Sequence, residues 1–280
     1  MPASSASLVP SLRLSNGVAM PAIGLGTWPL NDDEAALAVD RALGVGWRHI
    51  DTAENYTNET GVGRGIRASG VDRAEIFVTS KCNRQWHSVE GVRLACEASL
   101  RRLDLDHLDL LLVHWPNPDQ DRYVEAVEGL FAVLEAGLVR AVGVSNFKTS
   151  HLTRLFDRGL VPHVNQIQLD PYHRRDDVAA LAKSKGMVIE SWSPIGRAGV
   201  LLADPVIAVA AAAHGRTPAQ IVLRWHVENG WVPLPKSADP QRQRDNLAVF
   251  DFALTAEEHA ALDGLDRPDP RMPDSDIFGH

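Results

Sequence analysis

The stretch from Ile76 to His114 decides the fold. It begins with the apolar run Ile76-Phe77-Val78-Thr79, followed by Ser80-Lys81, and ends with Leu108-Asp109-Leu110-Leu111-Leu112-Val113 and His114. A helix-length segment separates the two runs. Short apolar runs alternating with helical patterns predict parallel strands, because parallel neighbours need a crossover that a tight turn cannot supply. Outward in both directions the unit recurs, with further strands predicted at Ile23–Leu25, Trp47–Ile50, Leu138–Val144, Val164–Ile167, Met187–Trp192 and Trp231–Leu234. Eight strand–helix units within 280 residues predict a closed α/β barrel of the (β/α)8 TIM type, one domain over residues 1–280.

An open doubly wound sheet is the runner-up. Gly61-Val62-Gly63-Arg64-Gly65 looks superficially like a dinucleotide-binding loop, but the last glycine falls one place early and no strand precedes it. It reads instead as the small-residue face of a helix. Helix limits are legible elsewhere. Asn31 precedes Asp32-Asp33-Glu34, which puts acids at the positive end of the helix dipole. Thr217-Pro218-Ala219-Gln220 and Thr255-Ala256-Glu257-Glu258 read as capping boxes, and Gly137, Gly159, Gly186 and Gly230 stand where helices should stop. Asn16-Gly17 between Ser11 and Met20 predicts an N-terminal β-hairpin with a type I′ turn. Pro233 falls inside the eighth strand, which is therefore expected to be short or irregular. The Pro- and Asp-rich tail from Arg267 to His280 reads as an extension over the barrel.

Composition narrows the function. A hydrophobic share of 45% supports a large core, and a formal charge of −8 argues against a nucleic-acid partner. Cys82 and Cys96 are too few for a disulfide framework and fit a reducing compartment. The segment Met1-Pro2-Ala3-Ser4-Ser5-Ala6-Ser7-Leu8 lacks the features of a secretory signal. No run approaches the ~18 apolar residues of a membrane helix. A cytoplasmic monomer without membrane attachment is expected.

Four residues sit at or just beyond strand ends: Asp51 after Trp47-Arg48-His49-Ile50, Tyr56 in the following loop, Lys81, and His114. In a barrel this face carries the active site. A lysine ending a buried strand is costly unless paired, and Asp51 on the preceding strand is its obvious partner. The ammonium should favour the phenolate of Tyr56 and lower its pKa from about 10 toward working pH. Tyr56 then becomes a general acid for a developing alkoxide, with His114 donating to the same oxygen. Taken singly, the residues also fit a structural ion pair and an ordinary hydrogen-bonded histidine. No metal site is expected, since the eleven histidines contain no H-x-x-x-H pair. A serine hydrolase is equally disfavoured, because no G-x-S-x-G elbow is present.

Here the sequence resembles the aldo-keto reductase family, nearly end to end. The motifs are Gly24-Leu25-Gly26-Thr27-Trp28, His49-Ile50-Asp51-Thr52-Ala53 with Tyr56, Ser80-Lys81, Leu112-Val113-His114-Trp115-Pro116, Gly143-Val144-Ser145-Asn146-Phe147, Val164-Asn165-Gln166, Ser191-Trp192-Ser193-Pro194 and Pro235-Lys236-Ser237. Within the family the chain is most similar to short bacterial members related to 2,5-diketogluconate reductase. The resemblance implies NADPH-dependent reduction of aldehydes or ketones, with Tyr56 as acid, Lys81 and Asp51 tuning it, and His114 orienting the carbonyl. It implies that Ser145, Asn146 and Gln166 hold the nicotinamide carboxamide, that Trp192 stacks on the ring, and that Gly26 and Thr27 also bind the cofactor. Lys236, Ser237 and Arg242 would grip the 2′-phosphate, and Asp245 and Asn246 would face adenine. Trp28, Trp86 and Trp115 are expected in the substrate pocket, favouring small apolar or aromatic carbonyl compounds.

Three departures stand out. Asn83 replaces a tryptophan common two residues after the family's lysine, so Trp86 is expected to swing in as that wall. Gln168 and Asp170 replace the usual Glu-x-His, and Pro233 interrupts the eighth strand. Two other readings compete: a non-catalytic NADPH-binding barrel, and an unrelated lyase using Lys81 as a Schiff base.

Overall fold

The computed structural model describes residues 9–196, 199–269 and 272–279. The expectation about the first eight residues, and parts of that for the tail, lie outside the described residues. The barrel strands are β3 (Leu25–Gly26), β4 (His49–Asp51), β5 (Phe77–Cys82), β6 (Leu108–Val113), β7 (Val139–Ser145), β8 (Val164–Gln168), β9 (Val188–Trp192) and β10 (Val232–Leu234), after a hairpin of β1 (Ser11–Arg13) and β2 (Ala19–Pro21). They run parallel in sequence order. The seam between first and last closes through Gly24 N–H to Pro233 O at 3.0 Å and Gly26 N–H to Pro235 O at 3.1 Å.

Pro233 is tolerated for a positional reason. In a parallel strand a residue's N–H and C=O point to the same side, so the missing donor faces this seam, where β3 has only two residues. The strand is short, as expected.

Helices α1 (Asp32–Gly44), α2 (Glu59–Ala68), α3 (Val89–Leu103), α4 (Tyr123–Glu135), α5 (Thr149–Phe156), α6 (Asp176–Ser184), α7 (Pro205–His214), α8 (Pro218–Glu228), α9 (Pro240–Leu247) and α10 (Ala256–Asp263) occupy the connections and the C-terminal end. Asn31, Thr217 and Thr255 each form a complete capping box. Gly137, Gly159, Gly186 and Gly230 all have positive φ, between 73° and 75°, the left-handed region that ends helices without a Cβ penalty.

All six residues of β6 are buried, as befits a strand covered on both faces. Leu110 and Leu112 point into the barrel with Phe77, Val164 and Val232, while Leu111 and Val113 join the layer between strands and helices. Leu14 and Met20 of the hairpin plug the barrel from below. The turn differs from expectation, since only Gly17 has positive φ (85°). Gly17 N–H bonds back to Leu14 O at 2.8 Å and Asn16 Nδ2 donates to Arg140 O. Asn16 is thus drawn into bracing the barrel floor, which makes this a longer loop than a type I′ turn.

The glycines of α2 are a packing face. A Cβ on Gly61 would lie 2.0 Å from Asp32 O, one on Gly63 2.1 Å from Leu103 O, and one on Gly65 2.5 Å from Ala36 O. Bare glycine backbone lets α2 lie directly against α1 and the end of α3. At the floor, buried Asp109 accepts from Arg73 and Arg140, both at 2.7 Å, and from Val78 N–H at 2.9 Å. The floor carries ion pairs that hold the fold, and the opposite face carries the cavity.

Candidate active site

Asp51 is the last residue of β4, Lys81 the penultimate one of β5, and His114 follows β6. Lys81 is fully buried. Its Nζ donates to Asp51 Oδ1 at 2.7 Å, to Thr52 O at 2.9 Å and to Tyr56 Oη at 3.4 Å. Burial opposes the ammonium charge, but Asp51 and then Tyr56 outweigh it, and Lys81 is held above its ordinary value. It is therefore a cation at neutral pH, the wrong state for the nucleophile of a Schiff base.

Tyr56 ends a short 3₁₀ turn, Glu54–Tyr56. Its ring packs edge-on to His114, with centroids 5.8 Å apart. The expectation that Lys81 brings the phenol toward neutral pH is not met. Burial pushes Tyr56 above its ordinary value and Asp51 adds to the push, while Lys81 pulls the other way without prevailing. Desolvating a phenolate costs more than one shared cation returns. The phenol is fully protonated at neutral pH, which is the state a proton donor requires.

A cavity of about 530 Å³ opens above these groups. Tyr56, His114, Trp28, Trp115 and Phe278 are among its walls. Phe278 stands edge-on to Trp115 at 4.9 Å, so the tail does fold over the mouth. Lys148 anchors it there through Asp274 and through Asp276 at 2.6 Å, and His151 lies 3.0 Å from Asp276.

Trp86 is not among the cavity walls. Its indole N–H donates to both oxygens of Glu54, at 2.8 and 3.0 Å, which ties the loop after β5 to the turn carrying Tyr56. The expected swing into the place left by Asn83 does not occur, because that hydrogen bond and packing against the core hold the ring elsewhere.

On the far side, Ser145 Oγ donates to Gln166 O at 2.9 Å, and Asn146 Nδ2 donates to His114 O and Ser145 Oγ, both at 3.0 Å. Asn146 Oδ1 accepts from the Trp192 indole N–H at 2.9 Å, fixing the tryptophan at the wall. Asn146 (φ 65°) and Ser193 (φ 51°) both occupy the left-handed region, a strain kept where the surrounding structure over-determines it. Gly26 and Thr27 complete this end, with Thr27 Oγ1 donating to Asp51 O at 3.0 Å.

Lys236 lies at the cavity edge. Ser237 and Arg242 are beside it, joined by a 3.4 Å contact, and Asp239 caps α9 by accepting from Arg242 N–H at 2.8 Å. Neither Lys236 nor Arg242 forms a salt bridge among the described residues, although the Arg242 backbone N–H and then the Arg242 charge help hold the nearby Asp239 carboxyl below its ordinary value. Asp245 accepts from Gln241 Nε2 at 2.8 Å, and Asn246 is buried on the same helix.

Two buried groups beneath the cavity were missed in the sequence. Gln166 Nε2 donates to Asp51 Oδ2 at 2.9 Å and to Glu190 Oε2 at 2.8 Å, and Glu190 Oε1 lies 3.6 Å from His49 Nε2. Burial, reinforced by Asp51, pushes Glu190 up to about 8. Burial and the Lys81 charge bring His49 down to about 3. Neither carries charge at neutral pH. Alternation along β9, with Ser191 between Glu190 and Trp192, was the available signal: a charged residue at an inward position of a central strand.

Comparison with known proteins follows this geometry closely. The model of the "Aldo/keto reductase family" matches residues 22–267. The chain is 45% identical to 2,5-diketo-D-gluconic acid reductase B of a Corynebacterium species, covering 92% of this chain and 94% of that one. It is 44% identical to methylglyoxal reductase DkgA of Yersinia pestis, covering 96% and 98%. Among solved structures, a variant of Gox0644 in complex with NADPH superposes with a TM-score of 0.92 at 40% identity, covering 97% and 99% of the two chains. A Bombyx mori aldo-keto reductase in complex with NADP gives 0.87 at 34%, covering 92% and 93%.

Proposed function

Since the chain belongs to the aldo/keto reductase family, we propose that it reduces small aldehydes or ketones with NADPH, using Tyr56 as the proton donor. The observation that carries this reading is the Lys81 ammonium held between the Asp51 carboxylate and the Tyr56 phenol on the cavity floor. The residues present suit the cofactor. Gln166 Nε2 is committed to two carboxyl groups, so its Oε1 is the acceptor left for a carboxamide. Trp192 is held at the wall by Asn146, and Lys236 and Arg242 are cations that form no salt bridge among the described residues. Such cations suit a phosphate, to which Arg presents a bidentate fork.

NADPH, when bound, supplies the hydride. The chain's own residues do the rest. His114 and Tyr56 flank one point of the cavity, where a carbonyl oxygen can accept from both. As negative charge develops on that oxygen, the Tyr56 proton passes to it. The Lys81 ammonium stabilises the phenolate left behind, and Asp51 keeps that ammonium in place. The aromatic rim of Trp28, Trp115 and Phe278 excludes water and favours small apolar or aromatic carbonyl compounds.

The test is oxidation of NADPH, followed by its absorbance, with a panel of carbonyl compounds that includes methylglyoxal. Turnover with NADPH and several aldehydes is expected. Tight NADPH binding with no turnover on any of them would favour the non-catalytic barrel instead.

A further inference from the structure

Glu190 lies on β9, fully buried, two residues before Trp192. A primary amide has two N–H donors, and in Gln166 both are used, one on Asp51 and one on Glu190. With the Glu190 proton on Oε1, turning this amide over would set its oxygen against two acceptor oxygens at once, Asp51 Oδ2 and Glu190 Oε2. Asp51 alone would hold it less firmly, since its other oxygen is engaged by Lys81 and a flip would then forfeit a single bond. We propose that Glu190 is a positioning residue of this site: it locks Gln166 with Oε1 toward the cavity, and so selects a ligand with an N–H donor, such as a primary carboxamide, over one that offers only an acceptor. This rests on the NADPH reading above.

The protonation state of Glu190 fits the role. Asp51, Lys81 and His49 are the titratable groups facing it, and at neutral pH its carboxyl is uncharged. With its proton on Oε1, the oxygen on the His49 side at 3.6 Å, it accepts from Gln166 through Oε2 without placing a second anion beside Asp51. A glutamine at this position offers the same neutral acceptor through its carbonyl oxygen, with its NH2 in place of the O–H, whereas leucine offers none.

The experiment titrates wild type, Glu190→Gln and Glu190→Leu at neutral pH, following tryptophan fluorescence. Three probes are used: NADPH, its reduced 3-acetylpyridine analogue, which carries an acceptor but no N–H at that position, and 2′,5′-ADP, which carries the phosphate-binding half alone. Wild type and Glu190→Gln are expected to prefer NADPH over the analogue by about tenfold, roughly the worth of one buried hydrogen bond. In Glu190→Leu that preference should fall to within about twofold, with 2′,5′-ADP bound equally by all three. Failure of wild type to bind NADPH would remove the cofactor reading itself. With NADPH bound, an unchanged preference in Glu190→Leu overturns the positioning role, as does a parallel loss of 2′,5′-ADP binding. Should Glu190→Leu not fold, the other two proteins decide: the tenfold preference in both supports the role, and its absence from either overturns it.

Discussion

At the scale of single residues, the site depends on one buried ion pair. Removing the cation while leaving the anion strands a charge in low dielectric, which costs about 3–5 kcal/mol. Lys81→Met should therefore lower stability by that order as well as activity, and a melting temperature equal to wild type would show that Asp51 does not need its partner. Arg242 is different, because it is exposed. Arg242→Ala should weaken NADPH binding by about tenfold or more, at roughly 1.5–3 kcal/mol for a charge-assisted bond, while leaving NADH binding unchanged. Equal effects in a titration with both cofactors would remove Arg242 from the phosphate site. The convergence of Asp51, Tyr56, Lys81 and His114 was legible because strand ends are legible. The direction of the Tyr56 shift was not, since it depends on how much water the loop excludes. Trp86 was misplaced for a similar reason: its partner Glu54 lies 32 positions away in sequence, and nothing local announces that bond.

At the scale of elements, periodicity and punctuation read well because helix caps and stops are local chemistry. The Asn31, Thr217 and Thr255 caps and the four positive-φ glycines needed no tertiary information. The hairpin turn read less well, because Asn16 answers to Arg140 on a distant strand. The α2 glycines give a sharp test of close packing. Gly63→Ala would drive a Cβ to 2.1 Å from the Leu103 carbonyl oxygen, and overpacking of this kind costs about 1–3 kcal/mol. At Gly44 a Cβ would meet nothing within 4 Å, so Gly44→Ala should be neutral or stabilising by up to about 1 kcal/mol. Denaturant unfolding of both variants checks the pair, and similar values would show that α2 can shift away from α3.

At the scale of the whole molecule, the barrel brings together groups from β3 through β10 and from the tail, which alternation along the chain predicts but cannot rank. Glu190 shows what escaped: an inward glutamate whose meaning depends on Gln166, 24 residues earlier. It also gives stability a pH dependence. Its folded pKa of about 8 lies above the ordinary 4.5, so its contribution is full below about 4.5 and is lost as pH rises through 8. His49, lowered to about 3, acts oppositely, contributing fully above about 6.5 and losing that as pH falls. Between pH 6 and 9 wild type should thus lose stability on the order of 2 kcal/mol, at ~1.36 kcal/mol per unit, relative to Glu190→Gln. Parallel urea curves for the two proteins across that range would contradict it. All these parts meet in turnover. The most direct measurement is NADPH oxidation by Tyr56→Phe with an aldehyde that wild type reduces, alongside an NADPH titration of both proteins. Loss of the proton donor should lower the rate about 10²–10⁴-fold with the NADPH dissociation constant nearly unchanged. Near-full turnover by Tyr56→Phe across pH 5–8 would contradict Tyr56 as the acid.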